Sequence, residues 1–388
     1  MTDQAPARYG IDAYLDWVSK EGIPVTEDYG IDLFKVETAP WPRYGVKGAA
    51  VHLKGRGDFA NMFLFDIPPA AATTPQRHLY EEVVYVLEGS GSTQLEFGDG
   101  SKRSFEWGPR SLFAIPLNAN HRHFNGSGRA RALLVSTTDL PLVMNTFHNE
   151  KFIFATAFDF ADRAGKNEYY SGEGDLITVR PGNHMWETNF VPDLASIGLK
   201  SWGDRGAGGT NIMFVLADGT MHAHISEMPV GTYKKGHRHG PGFHVMCVTG
   251  HGYSLLWFED EKDFLRIDLK HGVVFPPADR QFHQHFNTSA HPARYLATGV
   301  GGLRYPLTYG QRRSLLGVKP GEKGAVSTST KEGGDQIEYE DQDPRIHRIW
   351  LGEMKAHNVE PKMEKFIPSE VRAADAREQT SAFTSIRK

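Results

Sequence analysis

Short runs in which apolar and polar residues alternate make up most of the chain, and Gly, Asp and Pro separate them. Runs of this kind predict β-strands, because alternate side chains of a strand face opposite sides of a sheet. The first half contains NMFLFDI (61–67), EVVYVLEG (82–89), GSTQLEF (91–97) and SLFAIPL (111–117); the second half contains TNIMFVL (210–216), TMHAHISEM (220–228), HVMCVTG (244–250), YSLLWFE (253–259) and HGVVFPP (271–277). The pattern predicts an all-β protein.

Few segments depart from this pattern. Residues 11–22 have apolar side chains at helical spacing and end at Gly22, so they predict a helix, and residues 346–359 predict another. Residues 140–165 have mixed character and predict a connection between two strand-rich halves. Residues 318–336 are polar without periodicity, which predicts an exposed loop.

Composition narrows the class of protein. Of the 388 residues, 39% are hydrophobic, which is enough for a core, and 41 Gly with 22 Pro indicate many turns. The net charge of −4 and the absence of a Lys/Arg block argue against nucleic-acid or membrane partners. A single cysteine, no signal-peptide pattern and no long apolar stretch lead us to expect a cytoplasmic protein.

The two strand-rich halves are an internal repeat. Residues 67–91 align without a gap to residues 228–252, at a constant shift of 161. Farther on, HRHFN (121–125) matches HQHFN (283–287) at a shift of 162. One fold is therefore predicted to occur twice in the chain.

A histidine cluster in the second half indicates a metal site. His237 and His239 are two residues apart, so on a strand they face the same side. His283, from the HQHFN segment, supplies a third imidazole. Two histidines of one strand and a third from a neighbour can bind a metal on one face and leave positions open for water, substrate or oxygen.

The spacing around these histidines resembles the cupin motifs. Gly231, His237, His239 and Gly250 resemble the first motif; Gly272, Pro277, His283 and Asn287 resemble the second; and Gly108, Pro116, His121 and Asn125 repeat the second in the first half. The resemblance implies a bicupin: two jelly-roll β-barrels with a few peripheral helices. We expect an N-terminal arm (1–44), an N-terminal barrel (45–140), a linker (141–185), a C-terminal barrel (186–310) and a polar C-terminal extension (311–388).

Each half departs from the usual cupin metal site in its own way. The first half has the expected glutamate, Glu82, together with His78 and His121, but Gln76 replaces the first histidine. Because an amide is a poor ligand for such metals, we expect a weak or degraded second site there. The second half has all its histidines and has Phe243 in place of the glutamate.

A three-histidine centre of this kind resembles that of gentisate 1,2-dioxygenase and its relatives, which are also bicupins. The resemblance implies a non-haem Fe(II) dioxygenase that cleaves an aromatic or enolic hydroxy-acid. Three neutral ligands would leave the iron its full charge and adjacent open positions for a chelating substrate and O2. In these relatives the active barrel is usually the N-terminal one, whereas here the intact histidine set is C-terminal.

Several residues near the cluster have open roles. His244 is either a fourth ligand, if a bulge at 240–242 turns it inward, or a neighbour of the site. His285 and Arg280 are candidates for contacts around the ligands or with a substrate carboxylate. His222 and His224 either line the same cavity or lie on a half-exposed strand.

Two other functions stay open from the sequence. One is a non-oxidative metal enzyme, such as an isomerase, lyase, hydrolase or decarboxylase, that uses Mn, Ni or Zn instead of Fe(II). The other is a non-catalytic small-molecule-binding bicupin. The expected partners are a hydroxy-acid and O2, and the resemblance leads us to expect a homo-oligomer.

Overall fold

The computed structural model describes residues 10–55, 59–180, 182–240, 243–319, 321–369 and 386–387. The first half contains the strands β1 (Val25–Asp28), β2 (Ile31–Asp32), β3 (Ala39–Trp41), β4 (Val46–Leu53), β5 (Asn61–Ile67), β6 (Glu82–Glu88), β7 (Gly91–Glu96), β8 (Lys102–Trp107), β9 (Leu112–Ile115), β10 (Asn120–Asn125) and β11 (Ala132–Thr138). Three helices belong to this half and the segment after it: α1 (Ala13–Glu21), α2 (Leu140–Phe147) and α3 (Glu150–Ala155).

The second half repeats this strand-rich character. Its strands are β12 (Asp175–Arg180), β13 (Asn183–Thr188), β14 (Phe190–Val191), β15 (Lys200–Ser201), β16 (Thr210–Leu216), β17 (Met221–Met228), β18 (Gly236–His237), β19 (Phe243–Thr249), β20 (His251–Trp257), β21 (Phe264–Lys270), β22 (Val273–Phe275), β23 (Phe282–Asn287), β24 (Ala293–Val300), β25 (Gln336–Ile337) and β26 (Ile386–Arg387). The helices α4 (Tyr309–Leu316) and α5 (Pro344–Ala356) follow the main strands.

Each half folds into a barrel of one large and one small sheet. In the N-terminal barrel the large sheet has the order β1-β4-β5-β11-β6-β9-β14, with β3 beside β4, and the small sheet has the order β10-β7-β8. In the C-terminal barrel the orders are β12-β13-β16-β17-β24-β19-β22-β2, with β15 beside β16, and β25-β18-β23-β20-β21-β26. The predicted fold class, an all-β bicupin with a few peripheral helices, is confirmed.

The register of the strands confirms the internal repeat. In the N-terminal barrel Glu82 opens β6 and pairs with Thr138 of β11. In the C-terminal barrel Phe243 opens β19 and pairs with Gly299 of β24. Both members of the second pair lie 161 positions after their counterparts, so Glu82 and Phe243 occupy equivalent places in the two barrels.

The two barrels pack against each other through a shared apolar core. Side chains of both large sheets meet in one buried cluster, which contains Val135 of β11 and Leu296 of β24. The hydroxyls of Thr137 and Thr298 hydrogen-bond across the same interface at 2.8 Å. In addition, β2 joins the C-terminal sheet and β14 joins the N-terminal sheet. This exchange of short strands fixes the position of one barrel against the other.

The segment that follows the second barrel is not the exposed loop that its composition predicts. Ala325, Val326 and Gln336 are buried, and β25 extends the small sheet beside β18. The predicted helix at 346–359 is α5, which buries Ile346 and Trp350 against the small sheet. The prediction for 318–336 was wrong because tertiary packing buries a segment whose local pattern has no apolar periodicity.

The predicted N-terminal helix is α1, whose N-cap Asp12 accepts a hydrogen bond from the backbone of Leu15 and whose C-cap is Gly22. No helix in the described part of the chain is long and apolar enough to cross a membrane.

Candidate metal centres

The three histidines of the C-terminal barrel meet inside it. His237 on β18 lies directly opposite His283 on β23 in antiparallel register, and their ring centroids are 4.0 Å apart. His239, just after β18, has its ring 4.8 Å from that of His283. One ligand atom from each of the three lies within 4.8 Å of the others, a separation from which all three can approach one ion.

Backbone carbonyls orient two of these imidazoles. Nδ1 of His239 lies 2.8 Å from the Gly240 carbonyl oxygen, and Nδ1 of His283 lies 3.1 Å from that of Gln281. A neutral ring that donates from Nδ1 keeps a lone pair on Nε2, which is the form that binds metals. Nδ1 of His237 is buried without a hydrogen-bond partner in the described structure. The donor set therefore fits a divalent cation.

Burial keeps the three imidazoles neutral. It lowers the pKa of His239 to about 4 and the pKa values of His237 and His283 well below the ordinary histidine value. Neighbouring positive groups, including Arg205, lower the pKa of His237 further. Because metals bind the unprotonated ring, the site is ready to bind a cation at neutral pH without losing protons.

The three histidines line one cavity of the C-terminal barrel. The lining residues come from the barrel and from the C-terminal segment: Trp202, Arg205, Met213, His222, His224, Ser226, Lys234, His237, His239, Gly240, Phe243, Val245, His283, His285, Tyr295, Ala297, Gln311, Ser314, Leu315 and Val326. No Asp or Glu is among the described residues that line it.

Two more histidines of the cavity form a hydrogen-bonded pair. His222 and His224 face the same side of β17, and Nε2 of the first lies 2.7 Å from Nδ1 of the second. His222 packs edge-on against Phe243, which in turn lies 4.7 Å from His239 between ring centroids. Burial lowers the pKa of His222 to about 3. Of the two interpretations of this strand, the structure supports the one that places both side chains in the cavity.

The other residues singled out in the sequence lie in different places. His285 lines the cavity, and its Nδ1 lies 2.7 Å from the Ser254 hydroxyl. His244 is buried on β19 opposite Thr298, belongs neither to the three-histidine group nor to the cavity lining, and so is not placed as a fourth ligand. Pro241 and Gly242, part of the bulge considered for it, lie outside the described residues.

Arg280 does not face the cavity. Its guanidinium forms an ion pair with the buried Asp335 at 2.7 Å, while its backbone amide donates to the His239 carbonyl at 3.0 Å. Arg238 and Arg313 bind the same carboxylate. The Arg280 side chain is thus paired with Asp335, which is distant in sequence, and its contact with a substrate carboxylate stays a prediction.

The N-terminal barrel brings together His78, Glu82 and His121. The Glu82 carboxylate lies 3.2 Å from Nε2 of His78 and 3.8 Å from Nε2 of His121. Nε2 of His121 has no hydrogen-bond partner among the described residues, and burial lowers the pKa of this ring to about 3. Burial opposes the charge of Glu82, but its hydrogen bond to His78 and the nearby imidazoles lower its pKa to about 2. This group also fits a cation.

Two tyrosines pack beside this second site, and Gln76, which replaces the first histidine of the motif, turns away from it. Tyr80 stacks on His78 with ring centroids 3.6 Å apart, and its hydroxyl lies 2.9 Å from that of Tyr44. Both tyrosines are fully buried. The Gln76 amide does not turn toward the group, because it donates to the Arg43 carbonyl at 2.8 Å. The pocket that Glu82 lines is smaller than the cavity of the C-terminal barrel, so this site offers less space for a ligand.

Sequence reasoning missed two cavity residues, Arg205 and Lys234. Arg205 lies in a short helical turn before β16, and Lys234 comes three residues before His237. Neither has a local signal of burial, because both are ordinary surface residue types in polar surroundings. Gln311, Ser314, Leu315 and Val326 were also missed, since the segment that supplies them was assigned to an extension outside the barrels.

No protein-family model and no curated protein matches the chain. Among solved structures, one of oxalate decarboxylase, concerned with its substrate binding mode and a reaction specificity switch, is 13% identical, with 71% of this chain and 78% of that chain covered and a TM-score of 0.45. A second, concerned with a structural element that modulates proton-coupled electron transfer in oxalate decarboxylase, is 14% identical, with 70% and 77% covered and a TM-score of 0.46. An oxalate decarboxylase from Bacillus subtilis, studied for its Mn(II) centres, is 13% identical, with 71% and 78% covered and a TM-score of 0.45.

Proposed function

We propose that the chain is a metal-dependent enzyme, and specifically a non-haem Fe(II) dioxygenase that acts on a small aromatic or enolic hydroxy-acid. One observation carries the proposal: three neutral imidazoles meet at the base of a cavity whose described lining has no carboxylate. A centre of this kind keeps the full charge of a divalent ion for the ligands that enter from the cavity.

His237, His239 and His283 are the residues that hold the ion in this proposal. Bound there, ferrous iron would supply adjacent open positions for a chelating hydroxy-acid and for O2, together with the electron that O2 activation requires. The carbonyls of Gly240 and Gln281 fix two of the rings through Nδ1. Such anchoring reduces the freedom of the ligands and maintains the facial arrangement.

The remaining cavity residues control access and solvation. Phe243, Val245 and Ala297 are apolar residues of the cavity lining, to which the C-terminal segment also contributes. An apolar wall keeps water from the positions that substrate and oxygen need. Phe243 also occupies the place of the glutamate of the other barrel, so no protein carboxylate competes with the substrate for the ion.

A second candidate is a non-oxidative reaction with Mn, Ni or Zn, such as isomerisation, lysis or decarboxylation. The hydrogen-bonded pair His222–His224 favours it, because two linked imidazoles inside the cavity can accept and return a proton. A metal bound at the three histidines would supply Lewis-acid polarisation of a substrate oxygen, and the histidine pair would relay the proton along its hydrogen bond.

The first test is the metal content of untagged protein purified without oxygen, followed by oxygen uptake with a panel of hydroxy-acids. We expect about one iron per chain in the C-terminal site and consumption of about one O2 per substrate molecule. Turnover without oxygen, with Mn, Ni or Zn bound and with its rate abolished in His222→Gln, would establish the second candidate instead. Protein that takes up no metal contradicts both.

A further inference from the structure

Two cationic side chains in the cavity have no anionic partner. Lys234 and Arg205 are each only 4% exposed. The described structure contains no ion pair for either of them, and no carboxylate lines the described part of the cavity they face. Two other partly buried arginines are neutralised: Arg304 binds Glu187 and Asp218, and Arg294 binds Glu227. Arg205 and Lys234 differ from these two in lacking such a partner in the described structure.

The contacts of both residues orient them without neutralising them. Nη1 of Arg205 donates to the Val326 carbonyl at 2.5 Å and to the Gln336 side-chain oxygen at 2.8 Å. The described structure gives Nε and Nη2 no hydrogen-bond acceptor. Nζ of Lys234 lies 4.9 Å from the centroid of the Tyr295 ring, also in the cavity lining. Neutral partners hold these groups in place. Glu338 and Asp204 act on the charge of Arg205 from a distance, and no ion pair forms with either cation in the described structure.

A buried charge without a counter-ion is unfavourable, and burial shifts the pKa values of both side chains. Burial, and then the nearby Arg205, lower the pKa of Lys234 well below the ordinary lysine value. Burial likewise lowers the pKa of Arg205 to about 10. An anion bound beside Lys234 and Arg205 would favour their charged forms and raise both pKa values again. A divalent ion on the three neutral imidazoles would add positive charge to the same cavity, which favours a ligand with two anionic groups.

We propose that Lys234 and Arg205 form an anion-binding subsite, and that the ligand of this cavity is a compact organic acid with two anionic groups. One group is held at the three histidines and the second, a carboxylate, at Lys234 and Arg205. The second group is a carboxylate rather than a phosphate because the subsite offers one ammonium and part of one guanidinium among apolar walls, too few donors for a phosphate. This inference rests on the proposed function only for the anionic group that is held at the three histidines.

The test measures anion binding to the full-length protein, before and after removal of its metal, by titration calorimetry. Malonate and succinate serve as dicarboxylate probes, acetate as the monocarboxylate, and inorganic phosphate as the competing anion. We expect metal-loaded wild type to bind a dicarboxylate more tightly than acetate, because both anionic groups then have a partner, and metal-free wild type to bind both through the Lys234–Arg205 subsite alone. Lys234→Met should weaken that binding at least about tenfold and leave metal content unchanged.

The neighbouring lysine provides the matched control. Lys235 forms an ion pair with Glu338 and is not among the described residues that line the cavity. Lys235→Met should therefore bind the dicarboxylates within about twofold of wild type. The ligand-free Lys234→Met protein should be at least as stable to heat as wild type, since the substitution removes an unneutralised buried charge. If Lys234→Met does not fold, Lys234→Gln gives the same comparison.

Three results would overturn the subsite: equal binding by Lys234→Met and wild type, no binding of any dicarboxylate by wild type, or a loss of thermal stability in Lys234→Met with unchanged affinity. Tighter binding of phosphate than of the dicarboxylates would overturn the assignment to a carboxylate. Because the key titration uses metal-free protein, its outcome is independent of whether the metal centre performs oxygen chemistry.

Discussion

Glu82 in the N-terminal barrel and Phe243 in the C-terminal barrel occupy the same position of a repeated fold, yet they create opposite conditions around their histidines. Glu82 places a negative charge beside His78 and His121, and Tyr44 and Tyr80 fill the adjoining space. Phe243 leaves three histidines without a carboxylate, next to an open cavity with two unneutralised cations. The comparison teaches that a barrel's ability to hold a metal and its ability to admit a ligand are separate properties.

Removing one metal ligand from each barrel is the most direct test of the difference between the two sites. His283→Ala should remove the metal of the C-terminal site and reduce turnover at least about a hundredfold, because the open centre is lost. His121→Ala should remove at most the metal of the N-terminal site and leave turnover within a few-fold of wild type. Elemental analysis and steady-state kinetics measure both; equal losses of turnover would show that the N-terminal site takes part in the reaction.

A second experiment transfers the charge of one barrel to the other. Phe243→Glu should retain or strengthen metal binding but reduce oxygen-dependent turnover by about tenfold or more, because the carboxylate takes a position that the substrate or O2 needs. Phe243→Leu, which changes the packing without adding charge, is the control and should lose less. Full activity in Phe243→Glu would mean that the charge of the centre does not matter for its chemistry.

A third experiment creates a cavity beside the metal site of the N-terminal barrel. Tyr80→Ala removes a fully buried ring that stacks on His78, and we expect the free energy of unfolding to fall by about 3–5 kcal/mol. Tyr80→Phe loses only the hydrogen bond to the Tyr44 hydroxyl and should cost about 1 kcal/mol. Denaturant titration measures both, and a small loss in Tyr80→Ala would show that the tyrosine is not needed to fill the barrel.

The last expected effect is a pH dependence of stability that arises from His123 of the N-terminal barrel. Burial lowers the pKa of His123 to about 4, below the ordinary value of 6.5. The unfolded chain therefore takes up a proton first as the pH falls below 6.5, so the folded state loses stability down to about pH 4, by roughly 3 kcal/mol at most.

His123→Gln should flatten this slope in metal-free protein, whereas His291→Gln, at an exposed position, should not. Denaturant titrations at a series of pH values between about 4 and 7 measure the slope. Parallel curves for wild type and His123→Gln would contradict the assignment of the effect to this histidine.

The fold and the candidate metal ligands could be predicted because both depend on the spacing of residues along the sequence. Alternation of apolar residues identifies strands, and the repeat at a shift of 161 identifies two copies of one barrel. The spacing of His237 and His239 places both on one side of their strand, and the matching HxHFN segments supply one histidine to each site, His121 and His283. These features depend on neighbours in sequence and on strand geometry, so the sequence alone contains them.

The nature of the cavity depends on groups that meet only in three dimensions. The fold pairs Arg280 with Asp335, which is distant in sequence, and it buries Lys234, a residue that no local pattern singled out, without an ion pair in the described structure.

The sequence by itself thus determined the all-β repeat and which histidines can share a metal, because both follow from the two-residue period of a strand. Only the tertiary structure decided which barrel is open, where the unneutralised charge lies and which distant segment covers the site. Burial and charge pairing are properties of the assembled interior, and residues far apart in the chain create them.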